Sequence, residues 1–301
     1  MPNTLCHIAI QTPLSRTACP QSDLLWVIIG CIIPDIPWIV QKILLATEFF
    51  NSYDLRLYFM VQASLFFCVL LSLSLSLLTN RSLPIFLILA INCLLHLLLD
   101  SLQIKWGNGI HLLAPLSWDM IHFDLFWPEH LPTQVISLLG IPVILYYWRS
   151  IAHSDLAISF ASIRRMVGAA VLLLCYLVGP FIFIDQLEDS DSYYLQTMRQ
   201  YQQRQGKSIE FDRAEYDQTT QTATYLSGEK FSVQGNLPQH SGRLSIQGYF
   251  ADSTTIVVKN YHLHKDHRDL ASIVGLFLAC SLTVHSLLLT FRQKATNLTG
   301  P

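Results

Sequence analysis

Leu57 to Leu78 runs for twenty-two residues without one charged side chain. A helix crossing a bilayer needs roughly 20 predominantly apolar residues, and its backbone polar groups must be satisfied within the protein. Five further stretches meet or approach that requirement: Leu24 to Ala46, Pro84 to Leu99, Val135 to Trp148, Met166 to Ile184 and Ile273 to Phe291. The chain is 51% apolar and 13% charged, about half the roughly 25% charge of a soluble domain. The pattern predicts a polytopic α-helical membrane protein with about six transmembrane helices. A formal net charge of −2 lacks the basic footprint of a nucleic-acid binder. The seven cysteines show no CxxC spacing and lie mostly within apolar runs, so they read as small buried hydrophobes. Residues 1–23 contain no continuous apolar segment of the signal-peptide kind.

The first span carries Pro34 and Pro37 around Asp35 and Ile36. Each proline removes a backbone donor, which predicts a first helix broken at Pro34/Pro37, or a re-entrant segment. Six crossings put both termini on one side. That side would hold Arg16, Arg81, Arg149, Arg164, Arg165, Arg292 and Lys294, against Arg56 and Lys105 in the short loops opposite. By the positive-inside rule both termini are expected in the cytoplasm, with the loops at 47–56, 101–132 and 186–271 outside.

The chain divides into a membrane part at 1–185, with an outer loop at 101–132, an extracytoplasmic part at 186–271, and a last helix with tail at 272–301. Asp185 to Gln205 reads as a helical stalk. Short alternating runs follow (Thr222 to Leu226, Lys230 to Val233, Arg243 to Phe250, Thr254 to Tyr261), punctuated by Gly228, Gly235, Pro238 and Gly242. They predict a small β-rich domain, with an OB-like barrel the nearest named shape.

The residues able to carry chemistry concentrate near the outer face. His96 and Asp100 are four apart on one helix and project from the same side. Imidazole and carboxylate are both ligands for a divalent ion such as zinc, and an ionisable pair inside a membrane helix is costly enough to suggest a function. The alternative is a helix-end polar pair satisfied by interfacial water. Asp35 is a second such acid, and the proline break lets it line a cavity instead of facing lipid. On a straight first helix Asp35 lies about 16 Å below Ala46, whereas His96 is about 6 Å deep. Their meeting therefore requires the break to bend the chain outward. The loop from Gln103 to Pro132 adds His111 and His122, candidate general acids or bases, among Asp119, Asp124, Glu129 and several aromatic residues of interfacial type. His262, His264 and His267 form a further candidate metal tract at the end of the outer domain.

His7, Pro34-Asp35-Ile36, the His96-Leu97-Leu98-Leu99-Asp100 segment and the following Pro115-Leu116-Ser117 together resemble the bacterial membrane-bound metal-dependent hydrolases. That family includes LexA-regulated inner-membrane proteins and is similar to zinc-dependent phospholipases C. The resemblance covers about residues 5–150. It implies that His7 joins Asp35, His96 and Asp100 as a metal ligand. Two family positions differ: Pro37 stands where a further acid is expected, and Gln62-Ala63-Ser64 stands where a His-Ser pair is expected.

These observations predict an inner-membrane, metal-dependent hydrolase acting on a lipid-linked or headgroup-bearing substrate at the outer interface. The alternative is a non-catalytic membrane scaffold whose outer domain binds an envelope protein. A transporter has less support, since no inverted repeat is visible.

Overall fold

A computed structural model describes residues 3–152, 154, 156, 158, 162–265 and 267–298; the side chains of 267–269 and 291–298 lie outside that description. Its helices are α1 (Thr4–Ala18), α2 (Leu24–Ile32), α3 (Ile36–Leu45), α4 (Ser52–Gln62), α5 (Leu65–Leu77), α6 (Ser82–Ser101), α7 (Leu131–Ala152), α8 (Ile163–Val178), α9 (Ile184–Asp189), α10 (Leu195–Arg199) and α11 (His267–Leu298). Among the described residues, five spans are long and apolar enough to cross a membrane: Leu24–Leu45, Ser82–Ser101, Leu131–Ala152, Ile163–Asp189 and Leu270–Thr290. A sixth is the pair α4 and α5, bent by 65°. Large apolar side chains such as Leu138, Leu145 and Phe277 stand exposed on these helices, where an apolar solvent suits them. This is the architecture of a membrane protein.

The sharpest bend is not where the prolines predicted it. Leu24–Leu45 passes as one span, with a single 3-10 turn at Ile33–Asp35. Pro34 is the second residue of that turn and Pro37 sits in the first turn of α3, where a missing N–H costs nothing. The bend falls instead at Ala63 and Ser64, inside the longest charge-free run. Ser64 is extended and caps α5 without a side-chain hydrogen bond, and the Gln62 amide leaves the helix to reach the Tyr176 carbonyl at 3.2 Å.

α1 is the element that hydropathy missed. Ser22 reaches the Ser15 carbonyl and Gln11 reaches Cys31, so α1 and α2 form an antiparallel hairpin. Two glycines hold α1 in place. A Cβ on Gly140 of α7 would lie 2.6 Å from the Leu5 carbonyl oxygen, and one on Gly275 of α11 would lie 2.7 Å from the Leu5 nitrogen. Small residues at such crossings let helix backbones approach closely. Asn3 then donates to Ser137 at 2.6 Å. α11 runs in the same direction as α1 and α7, and Ser286 meets the Ser154 carbonyl beyond the end of α7. Among the described residues, the start of α1 and the end of α11 therefore lie at opposite ends of the helices.

The strands β1 (Ser208–Asp217), β2 (Thr222–Tyr225), β3 (Glu229–Gly235), β4 (Gly242–Phe250) and β5 (Thr255–Leu263) close a barrel in the order β1-β2-β3-β5-β4. β3 and β5 pair parallel; the other neighbours are antiparallel. Phe211, Phe231, Ile246, Phe250 and Ile256 fill the interior. Arg204 plugs it: its guanidinium is buried, pairs with Glu229 at 2.5 Å and lies over the Phe231 and Phe250 rings. The expected stalk is a set of short turns, α9 and α10, broken at the positive-φ residues Asp191, Tyr193 and Tyr194.

The barrel sits on the loop after α6. The Gly107 N–H donates to Glu210 at 2.7 Å and the Asn108 amide to Asp212 at 2.8 Å. Gly107 has φ +63°, and a Cβ there would lie 2.4 Å from the Glu210 carbonyl oxygen, so both its backbone and its neighbour require glycine. A bulge in β1 between Phe211 and Ala214 takes Asp212 and Arg213 out of the ladder, and both reach the cavity below the barrel.

Candidate metal centre

His96 and Asp100 leave α6 one turn apart, as their spacing required. The His96 Nδ1–H donates to the Cys31 carbonyl at 2.6 Å, which leaves its Nε2 with a free lone pair. That nitrogen stands 3.5 Å from Asp35 Oδ1 and 3.9 Å from Asp100 Oδ2. His7, delivered by α1, places its Nε2 3.4 Å from Asp100 Oδ1. The two imidazoles stack, with centroids 3.7 Å apart and planes within 2°. One ligand atom from each of His7, His96 and Asp100 lies within 4.8 Å of the other two, while Asp35 approaches through His96.

All four residues are buried. Among the described residues, His7 Nε2, His96 Nε2, Asp35 Oδ1 and Asp100 Oδ1 each lack a hydrogen-bond partner. Four unsatisfied polar atoms at one buried point would cost several kcal/mol in sum, at roughly 1–3 kcal/mol each. Ligands at 2.0–2.1 Å from a tetrahedral ion stand about 3.3–3.4 Å apart, close to the shortest distances found here. The donor set fits a divalent ion. Lys105, itself buried, competes in part: its Nζ is 3.6 Å from Asp100 Oδ2.

The meeting of Asp35 and His96 needs no outward bend, contrary to the depth argument. α3 continues past the end of α6, and its Trp38, Ile39, Lys42 and Ile43 become a wall of the cavity above the site. That cavity measures about 560 Å3 and is closed on the far side by Asp212 and Arg213 of the barrel. Ala63 and Ser64, at the bend between α4 and α5, also line it.

His111 lines the same cavity, packed against Trp118 and Tyr193. Burial lowers its pKa to about 4, so it is neutral at pH 7. His122 does not line the cavity; it is half exposed, with Nδ1 2.7 Å from Asp124. His262 and His264 gather instead around Glu129. His264 Nδ1 is 2.7 Å from Glu129 Oε1, its Nε2 is 2.7 Å from Ser245, and Arg213 pairs with the same Oε1 at 2.7 Å. His262 stacks on Trp127 with centroids 3.8 Å apart. Burial of Glu129 opposes ionisation, but hydrogen bonds from His262 and His264 and the charge of Arg213 outweigh it and hold the carboxyl far below its usual range. With both His264 nitrogens engaged, the cluster is a clasp joining the outer loop to the barrel. The His267 side chain lies outside the described residues.

Sequence reasoning missed Gln11, whose amide nitrogen is 3.2 Å from His7 Nδ1 and whose oxygen faces Cys31 Sγ at 3.2 Å. Its one available signal is its position four residues after His7 on a helix. It also missed the roles of Arg56, Lys105 and Tyr193 as cavity walls. Compared with protein-family models, curated proteins and solved structures, the chain matches none.

Proposed function

We propose that this chain is a membrane-bound metal-dependent hydrolase of the bacterial inner membrane, acting on a headgroup-bearing or lipid-linked ester at the outer interface. The observation that carries the reading is the convergence of four buried, unpartnered ligand atoms from His7, Asp35, His96 and Asp100. Two imidazoles and two carboxylates suit zinc. A zinc ion held there supplies Lewis acidity and a water acidic enough to ionise near neutral pH. Lys105, beside Asp100, is placed to face negative charge building on a phosphoester or acyl group. His111, kept neutral by burial, is the proton acceptor and donor that the cavity offers. The basic residues at the end of the helices away from the barrel argue for a barrel outside the cytoplasm, and its five-strand order with a parallel β3–β5 pair supports an OB-like reading.

A second reading has one observation behind it. The Lys105–Asp100 contact satisfies a carboxylate without any ion, as in a non-catalytic scaffold whose barrel binds an envelope partner. Metal analysis of the purified protein separates the two. The hydrolase reading expects about one bound zinc per chain, lost in Asp100→Ala. Metal-free wild-type protein that cannot be loaded with zinc leaves the scaffold.

A further inference from the structure

Arg56 stands on α4 with its side chain in the cavity. Its guanidinium carbon lies 4.6 Å from the centre of the Trp38 ring and 4.9 Å from that of Tyr193. Tyr193 is itself fixed, its hydroxyl donating to the Gly109 carbonyl at 2.6 Å. Among the described residues Arg56 has neither a carboxylate partner nor a hydrogen bond. A guanidinium packed on ring faces keeps its in-plane N–H groups for an acceptor, and its fork matches the oxygens of phosphate or carboxylate. The cavity brings four basic residues, Lys42, Arg56, Lys105 and Arg213, against three carboxylates. Arg213 is paired with Glu129, which leaves Lys42, Arg56 and Lys105 against three carboxylates; two of those, Asp35 and Asp100, belong to the candidate metal centre, so a cavity loaded with a divalent ion carries net positive charge.

The opposite wall is apolar. Ile39 and Ile43 come from α3, Ile273 and Leu276 from α11. Ile43 and Ile273 line the cavity and are also 62% and 64% exposed on the outer surface. Among the described residues α11 packs chiefly on α1, α2 and α7, and α3 chiefly on α4. The cavity is therefore bordered, between α3 and α11, by apolar side chains that are themselves exposed.

We infer that the cavity takes an amphiphile carrying a phosphate-type oxyanion, with Arg56 gripping the anion and the hydrocarbon chain leaving between α3 and α11 into the bilayer. This names the substrate class of the proposed reaction and so rests on that reading.

The test uses full-length protein in nanodiscs of uncharged lipid and measures binding of dodecyl phosphate, inorganic phosphate and dodecanol by tryptophan fluorescence, with and without added zinc. Dodecyl phosphate should bind at least about tenfold more weakly to Arg56→Gln than to wild type, with Arg56→Lys between them, as loss of a charge-assisted hydrogen bond requires. Inorganic phosphate and dodecanol should each bind wild type at least about tenfold more weakly than dodecyl phosphate, because each offers only half of the recognition. Equal binding of dodecyl phosphate to a folded Arg56→Gln overturns the role of Arg56. Equal binding of inorganic and dodecyl phosphate overturns the lateral route and makes the ligand a soluble anion. A protein that binds zinc but fails both arms loses this inference alone, whereas one that cannot be loaded with zinc loses the hydrolase reading, whatever it does with dodecyl phosphate.

Discussion

Gln11→Met tests how His7 is aimed at the metal centre. His7 approaches Asp100 through Nε2, so a role as ligand requires the ring proton on Nδ1. The group facing Nδ1 is the Gln11 side chain, 3.2 Å away, whose other arm is 3.2 Å from Cys31 Sγ. Which arm is oxygen is decided by the hydrogen-bond network. With the amide nitrogen toward His7, the ring accepts there and Nε2 carries the proton, pointing at Asp100. With the amide turned over, Oε1 accepts from Nδ1–H, the amide N–H faces sulfur, and Nε2 is free to bind an ion. Metal binding therefore selects the second orientation. Methionine preserves length and burial but removes the acceptor, and loss of such an outer partner costs about 10–100-fold in metal affinity, or about 1.4–2.7 kcal/mol. Gln11→Glu keeps an acceptor and should hold the ion at least as tightly as wild type. Competition with a chromogenic chelator, read with metal analysis, gives the affinities. If wild type binds one zinc and Gln11→Met binds it equally well, His7 is not oriented through Gln11.

Gly140→Ala and Gly275→Ala should each push α1 away, since both new Cβ atoms meet the Leu5 backbone at under 3 Å; thermal unfolding should show a loss of about 1–3 kcal/mol with weaker zinc retention, and unchanged values in both would refute the threading of α1. Arg204→Met should destabilise a fragment spanning Leu195 to Lys265 by about 3 kcal/mol in urea, the lower end for breaking a buried pair, because Glu229 is only partly buried; an unaltered midpoint would show that the plug is dispensable. The His111 pKa is lowered from 6.5 to about 4 by burial, so on acidification the unfolded chain takes up that proton first. Stability from this group is complete above pH 6.5 and falls between pH 6.5 and 4, by about 3 kcal/mol in all. Unfolding of wild type and His111→Phe followed across that range should show the slope only in wild type, and equal slopes would refute it.

The spans and the barrel were legible because each rests on a local pattern: long apolar runs for one, alternation with glycine punctuation for the other. Asp35, His96 and Asp100 were legible for a related reason, since an ionisable residue in an apolar run stands out. His7 was visible only through a family resemblance. Its helix carries Thr4, Gln11 and Thr12, which depress its hydropathy, and what lets it enter the bundle is written elsewhere, in Gly140 and Gly275. The bend at Ala63 and Ser64 had no proline or glycine to announce it. The depth argument for Asp35 erred by assuming that all helices end in one plane, whereas α3 overshoots α6 and becomes a cavity wall.

The placement of α1 also changes what the basic residues say about topology. With His7 against Asp100 and Asn3 against Ser137, the start of α1 lies at the barrel end of the helices. Arg16, at the far end of α1, bonds the Ser22 carbonyl in the turn to α2. It therefore shares an end with Arg165, which bonds the Thr79 carbonyl. Arg16 thus stays within the positive cluster although the N-terminus leaves it, and the positive-inside rule still sends that cluster to the cytoplasm. The expected arrangement is an N-terminus outside with the barrel and a C-terminal tail inside. Single cysteines at Asn3 and Lys294, in a background with the native cysteines replaced, should differ in labelling by a membrane-impermeant maleimide on intact cells, with position 3 reacting and position 294 protected until lysis. Labelling of both or of neither before lysis would place the termini on one side and remove α1 from the metal centre.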